Sequence, residues 1–584
     1  MSLVKQWRYL LLTLVALVAV AACGDDDDDD DTGAPTATGD ATETDAPADG
    51  DRIQGGDLAV HGHEFASLDP HFSSFAQDIS LHRMLWRGLY WLDADNNVTP
   101  GMAAEDPDIS EDGLTYTITL RDGLLWSDGE PLTAADFALG IQRTCNPDNA
   151  GQYQYVLNEV AGCNDYYGAY GSEAEPLEPT EEELQALLAE VGVEATDDTT
   201  LVITLSTPKP TFPIILSLWM TFPVPSHLVP DPGQEWPTDP AGLAYNGPYV
   251  LTEYTPQDHV TLIPNENWAA PNDISPTLDT LTIRFIDDYA VANDAYRTSE
   301  VLFARADTAV LSSVVSEFGE GDQYFKAGQP STRGLQMNLE VAPLDNLEVR
   351  LAVSQALDRD AISNVAADGA NDPTTSWIPA AAVPGGDEPD AFEECCGFNP
   401  EAAQAHLETA GYPGGEGFPD LDILIGDNAV QVAVAEVIQQ SLQQNLNITV
   451  GIEVVDAATR SARFTSEDYE LFLGGWIQDY PDPENWIVGL YDTDGPINHT
   501  NCSDPDIDAL ISENISNTDN DARVQAYNDV NALISERVCG IAPYWHENLH
   551  YLIAPEVVGM RENIAGQDAF QAGDWIAEAW GLSE

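Results

Sequence analysis

Between residues 421 and 455 the chain reads LDILIGD, then AVQVAVAEVIQQSLQQNL, then NITVGIEVV. The outer segments are short apolar runs rich in β-branched residues, and the middle one repeats its apolar positions every three to four residues. That is strand, helix, strand. PTLDTLTIRFIDD followed by VANDAYRTSEVLFARA predicts a further strand and helix. Such units imply parallel sheets with crossover helices. LTYTITLRDGLLW alternates with period two and contains Asp-Gly, which predicts a hairpin. TTLVITLSTP and GPYVLTEYTPQDHVTLIPNENW read as strands separated by turns. LTAADFALGIQRT opens with a threonine N-cap and then turns helical; in residues 173–192 Thr180 caps an acidic first turn and Gly192 ends the helix. The pattern predicts an α/β architecture with a β-rich insertion and no internal repeat.

The N-terminus departs from this pattern. Lys5 and Arg8 precede an apolar run too short and wrongly flanked for a membrane span, so residues 1–22 read as a secretory signal peptide. The run ends Val20-Ala21-Ala22-Cys23, which resembles the lipobox of bacterial lipoproteins. That resemblance implies lipidation of Cys23 and membrane attachment by lipid rather than by a helix. An ordinary cleavage site ending in cysteine is the alternative. Residues 23–51 are acidic, with no apolar periodicity, and predict a disordered tether.

Composition narrows the function classes. The 584 residues are 43% hydrophobic, enough for a large core and more than one domain. The formal charge is -80, from 100 acidic and 20 basic residues. Such a surface repels phosphate backbones, which excludes nucleic acid as a partner. Only Lys5, Lys209 and Lys326 are lysines. Acid excess with so little lysine suits a protein solvated in high salt, where self-repulsion is screened, or a generally acidic exported one.

Six cysteines remain besides Cys23, and export favours pairing them. Cys145 and Cys163 flank a polar loop, and Cys502 and Cys539 bracket a helical stretch, so each set is expected as a disulfide. Cys395 and Cys396 are adjacent and form either a vicinal disulfide or two thiols. No C-x-x-C pair recurs to hold zinc. The most enzyme-like motif is HENLH at residues 546–550, the spacing of a helical zinc peptidase site. Pro543 and the β-rich flanks predict a strand instead, and no third ligand follows at a suitable spacing. There is no G-x-S-x-G, P-loop or G-x-G-x-x-G sequence, so no enzyme and no cofactor are expected.

Several blocks together resemble one family. LDPHF is followed by RGLYWLDADNNVTPGMAAEDPDISEDGLTYTITLRDGLLWSDGEPLTAADFALGIQR, then NGPYVLTEYTPQDHVTLIPNENW, MNLEVAPLDNLEVRLAVSQALDRDAI and GWIQDYPDPENWI. From about residue 55 onward these resemble, in order, the family 5 extracellular solute-binding proteins of ABC importers. Arg87 stands where the family usually has an acid. The resemblance implies a two-lobed, type II periplasmic-binding-protein-like α/β fold with an inserted third subdomain. One lobe would comprise residues 52–90, 241–325 and 540–584, the insertion 91–240, and the second lobe 326–539. It further implies a monomeric extracytoplasmic receptor, at the cell surface or in the periplasm. Such a receptor would close on a peptide and hand it to a permease with separate ATPase subunits. Relatives also bind oligosaccharides and metal chelates, so those solutes remain open as ligands.

Candidate ligand contacts follow. In GGWIQDYPDPENWIV, Trp476, Tyr480 and Trp486 set apolar surface around Asp479 and Asp482. A carboxylate among aromatic rings suits a cation, through charge-assisted bonding and cation–π contact. In peptide-binding relatives the aspartate matching Asp479 takes the ligand's amino terminus. Asn246 and Gly247 resemble a segment near the family's cleft, where an amide and a close backbone approach would serve a ligand; Met337 and Asn338 are further candidates of the same kind. No metal ligand is expected.

Overall fold

A computed structural model describes residues 52–561 and 574–583, apart from positions 74, 94–95, 150, 172–175, 238, 320, 322, 381–382 and 384–385. The expected signal peptide, Cys23 and the expected tether lie outside the described residues.

Among the described residues, two large apolar cores and two smaller clusters are organised around one mixed sheet of eleven strands. From one edge to the other it runs Val450–Val455, Leu421–Gly426, Leu471–Ile477, Tyr324–Met337, Ile541–Ile553, Phe303–Ala306, Asp57–Gly62, Thr280–Phe285, His259–Pro264 and Tyr249–Thr255. The short strand Asp372–Pro373 pairs beside Ile541–Ile553. Parallel pairing is confined to the strands around Leu421–Gly426 and Asp57–Gly62. The sheet is therefore mixed rather than parallel, because its two halves are stitched by two long antiparallel strands, Tyr324–Met337 and Ile541–Ile553. Their pairing is interrupted between Gly328 and Thr332 and again at Arg333/Gly334. Such irregularities bend a sheet and increase its local twist.

In one half the helix Ala429–Leu446 crosses between parallel strands. Asn428 caps it by accepting from the amides of Val430 and Gln431, and it buries Val434, Ile438, Leu442 and Leu446 against Ile423, Ile425, Leu335 and Met337. The other half continues into the 91–240 region, where Asp108–Ile109, Thr115–Thr119, Thr200–Thr204 and Val193–Ala195 form a separate four-stranded sheet. Its Tyr116, Ile118, Leu201 and Ile203 share one core with Leu58, Val60, Leu281 and Ile283. The expected hairpin at Asp122-Gly123 is absent: Thr115–Thr119 pairs with Asp108–Ile109 and with Thr200–Thr204, a partner about eighty residues away. Alternation specifies a half-buried strand but not which strand completes it. VLFARA also differs from expectation. The helix stops at Arg297 and Phe303–Ala306 forms a strand beside Asp57–Gly62.

Three disulfides are present: Cys145–Cys163 with an S–S distance of 2.00 Å, Cys502–Cys539 with 2.01 Å, and the adjacent pair Cys395–Cys396 with 2.30 Å. Arg87 has a clear partner. Both oxygens of the fully buried Glu578 accept from it at 2.9 Å, and its guanidinium lies between the rings of Trp91 and Trp268. An acid near the C-terminus thus neutralises the base of the RGLYW segment.

Candidate functional site

The strand Leu471–Ile477 leads directly into the loop carrying Asp479, Tyr480 and Asp482, with Glu484 in the first turn of the helix that follows. Gly474 and Gly475 make no turn; they lie within the strand, and a Cβ on Gly475 would sit 1.9 Å from the carbonyl oxygen of Thr332 on the neighbouring strand. The helix Pro483–Tyr491 follows, with Asp482 as N-cap and Pro483 at its first position. Asp482 is held by Arg523, whose guanidinium donates to its two oxygens at 2.7 and 2.6 Å; both side chains are buried. Asp482 thus anchors the loop. Trp486 is core, while Trp476 donates its indole N–H to Asn485 at 2.9 Å.

Asp479 reaches the 91–240 region. Its oxygens accept from the hydroxyls of Tyr153 at 2.8 Å and Tyr155 at 3.3 Å, and from the Asn485 side-chain amide at 3.1 Å. Burial, and then the Asp479 charge, push the Tyr155 hydroxyl pKa well up, so it stays a donor. Tyr480 is buried, and its hydroxyl donates to Glu484 at 3.3 Å. Lys209, from the same region as the two tyrosines, lies 3.0 Å from Glu484 and 3.1 Å from Glu159, and Thr211 donates to Glu484 at 3.1 Å. Burial alone would lower the lysine's pKa, but the Glu484 and Glu159 charges raise it. The 479–484 loop is therefore gripped at two carboxylates by the 91–240 region. Tyr153, Tyr155, Lys209 and Thr211 were not legible as site residues. The alternation in QYQYV and the scarcity of lysine were the available signals.

The other candidates serve the scaffold. Asn246 uses its amide on one residue, accepting from the Arg87 N–H at 3.2 Å and donating to the Arg87 carbonyl at 2.9 Å. Gly247 makes its close approach to the chain at Leu85–Trp86, not to an open space: a Cβ there would stand 2.6 Å from the Leu85 carbonyl carbon and 2.7 Å from the Trp86 nitrogen. Backbone meets backbone, so neither side can yield without shifting. Gly247→Ala is expected to cost about 1–3 kcal/mol, read as a lower denaturant midpoint; an unchanged midpoint would show that the contact relaxes freely. Met337 is wholly buried in the second core. Asn338 donates to the carbonyls of Glu467 and Tyr469 and accepts from the Glu340 N–H, tying a loop. These four positions are braces: the side chains of Asn246, Met337 and Asn338 are taken up by their own neighbourhoods, and the Gly247 backbone packs on Leu85–Trp86.

A cavity of about 610 Å³ opens between the two halves beside the long strands. Tyr289, Arg305 and Thr308 line it from one half, Gln431, Arg460 and Leu473 from the other, and Arg333, Glu547 and His550 from the shared strands. Arg333 is paired with Glu547 at 2.9 Å. A chamber of this size between two halves suits a small-molecule ligand, and its lining is mostly polar and charged.

HENLH lies within the strand Ile541–Ile553. Thr332 and Thr374 engage the two ring nitrogens of His546 at 2.8 and 2.9 Å; Tyr324 and the Ala370 carbonyl engage those of His550 at 2.7 and 3.0 Å. Glu547 instead accepts from Ser331 and Arg333. The histidines are linked to stability. Burial lowers the pKa of His61, His82, His546 and His550 from 6.5 to about 4. Between pH 6.5 and 4 the unfolded chain therefore takes up protons that the folded one refuses. The stabilisation is complete above pH 6.5 and is lost as pH falls toward 4, at up to about 1.4 kcal/mol per pH unit for each histidine. Denaturant midpoints should fall steeply from pH 6.5 to 4.5; a flat profile would mean these rings titrate freely in the fold.

Comparison with known proteins places this geometry. Residues 97–497 match the profile of bacterial extracellular solute-binding proteins, family 5. The oligopeptide-binding protein OppA of Bacillus subtilis is 24% identical over 504 residues, spanning 84% of this chain and 88% of that one. The periplasmic oligopeptide-binding protein OppA of Salmonella typhimurium is 26% identical over 533 residues, spanning 89% and 92%. Among solved structures, Haemophilus influenzae OppA in complex with RPPGFSPFR superposes with a TM-score of 0.70 at 21% identity, covering 91% of this chain and all of that one. The fold is thus the two-lobed α/β fold of these binding proteins, and the HENLH strand belongs to a scaffold that binds solutes rather than transforming them. This chain is a member of family 5 of the bacterial extracellular solute-binding proteins.

Proposed function

We propose that the protein is the extracytoplasmic receptor of an ABC importer and that its ligand is a peptide. The observation that carries this reading is Asp479, a carboxylate gripped from opposite sides of the molecule by Tyr153, Tyr155 and Asn485. Its oxygens accept from hydroxyl and amide donors, and a peptide's α-ammonium would add a charge-assisted bond to the same carboxylate. Trp476 and Tyr480 are its neighbours in the chain, and we assign the rest of a short peptide to the 610 Å³ chamber, which Leu473 lines from the strand leading to Asp479. Relatives named for oligopeptide binding support the ligand class.

In this reading, residues 52–90, 241–325 and 540–584 act as one lobe carrying the 91–240 insertion, and 326–539 act as the other. The two long strands are the hinge. Closure is a two-state equilibrium that ligand biases through contacts to both lobes. The receptor works as a monomer, is exported by residues 1–22, held to the membrane by lipid on Cys23, and passes its cargo to a permease driven by separate ATPase subunits. Native mass spectrometry of ligand carried through purification tests the ligand class: a peptide mass is expected, and a sugar or metal chelate would overturn it.

A further inference from the structure

The contacts from the 91–240 region to residues 479–484 share one polarity. Donors stand on the first side and carboxylates on the second: Tyr153 and Tyr155 to Asp479, Lys209 and Thr211 to Glu484. Of these four donors only Lys209 is charged. It lies in Pro208-Lys209-Pro210, where a proline fixes φ on either side and the second also restricts the lysine backbone. The Lys209 carbonyl accepts from the Tyr116 hydroxyl and from the Phe212 N–H, both at 3.0 Å. Glu159, from the same region, holds the ammonium at 3.1 Å, and its own carbonyl accepts from the Ser206 N–H at 2.7 Å. The lysine is therefore aimed by its own region before it meets Glu484.

The pair it makes there is shielded: the Lys209 and Glu484 side chains are 12% and 3% exposed, with the charges 3.0 Å apart. Lys326, by contrast, meets Asp372 at the surface, where salt screens the attraction. Separating the two regions would leave Lys209 with Glu159 but strip Glu484 of both Lys209 and Thr211. The cost of opening falls on a carboxylate set in a buried helix turn.

We propose that Lys209 is a positioning residue for ligand capture, a charged clasp that draws the lobes shut through Glu484 and so brings Tyr153 and Tyr155 onto Asp479. This rests on the lobes and the closure proposed above. Two carboxylates of one segment then divide the work: Asp479 meets the ligand and Glu484 meets the protein. The clasp needs no ligand, so it sets the closed population beforehand. Its effects on the two rates follow. A shut receptor admits ligand slowly, and a clasped one releases it slowly. A side chain that only supported the fold would not slow entry.

Lys209→Met removes the ammonium and keeps an unbranched stem. Lys209→Met with Glu484→Gln also removes the carboxylate that the single variant orphans, which keeps the measurement open should the single variant fail to fold. Small-angle scattering without ligand, and stopped-flow binding of tetra-alanine, would compare both with wild type and with Lys209→Arg. Both methionine variants are expected to show a larger radius of gyration, to release tetra-alanine about tenfold faster, and to capture it at least as fast as wild type. Lys209→Arg keeps the charge and should stay near wild type. An unchanged radius, unchanged release or slower capture would each overturn the proposal. Should wild type bind no tetra-alanine, the peptide reading fails by itself and the radius decides: expansion on losing the ammonium supports the clasp, and no change defeats it.

Discussion

Replacing Arg523 with leucine is expected to destabilise the fold by about 3–5 kcal/mol, the cost of orphaning a buried charge. Arg523 is about 1% exposed and binds both oxygens of Asp482, itself about 5% exposed; Glu484, about 3% exposed, lies 4.0 Å away. Without the guanidinium, Asp482 must be protonated or hydrated inside the protein, or the loop must open. The shift in denaturant midpoint measures the loss. The companion variant, Arg523→Leu with Asp482→Leu, leaves no orphan at that pair and should recover most of it. If the double variant is as unstable as the single, packing and not charge accounts for the effect. Because Asp482 anchors the loop that presents Asp479, the single variant should also weaken ligand binding.

Asp479→Asn is expected to weaken an amino-terminal peptide by about 2–5 kcal/mol, the range for removing one member of a desolvated charge pair. Asparagine can keep its oxygen toward Tyr155 and Asn485 and turn its NH2 to Tyr153, whose hydroxyl can accept instead, so the main loss is the charge. Stability should therefore change little while affinity collapses, mainly through faster release. An N-acetylated peptide supplies the matching deletion on the ligand. It should bind wild type poorly and lose little more in Asp479→Asn, since the interaction is already gone. Equal loss of both peptides in the variant would mean that Asp479 shapes the loop and meets no ammonium.

The placement of the candidate residues follows one physical distinction. Asp479 was singled out by its aromatic neighbours Trp476, Tyr480 and Trp486 and above all by the family resemblance, in which the matching aspartate takes the ligand's amino terminus; its partners Tyr153 and Tyr155 lie far away in the chain. Asn246, Gly247, Met337 and Asn338 looked equally available in the sequence. Their donors, acceptors and surfaces are taken up by Arg87, Leu85, the second core and the Tyr469 loop, segments distant in the chain. HENLH is the converse case. Its spacing is local, but zinc chemistry needs a helix to bring positions i and i+4 together beside a glutamate, and Pro543 with its apolar flanks already pointed to a strand.

Local pattern alone determined most of the elements, their caps at Thr133 and Thr180, the α/β class, the acidity that excludes nucleic acid, and the order of blocks that carries the family resemblance. Those properties depend on neighbours within a turn or a strand length. Only the tertiary structure decided that Thr115–Thr119 pairs with Thr200–Thr204, that Arg87 is neutralised by Glu578, and that Tyr153 and Lys209 close on the 479–484 loop. Each of these is a contact across tens to hundreds of residues, where periodicity says which face a side chain takes but not what it meets there.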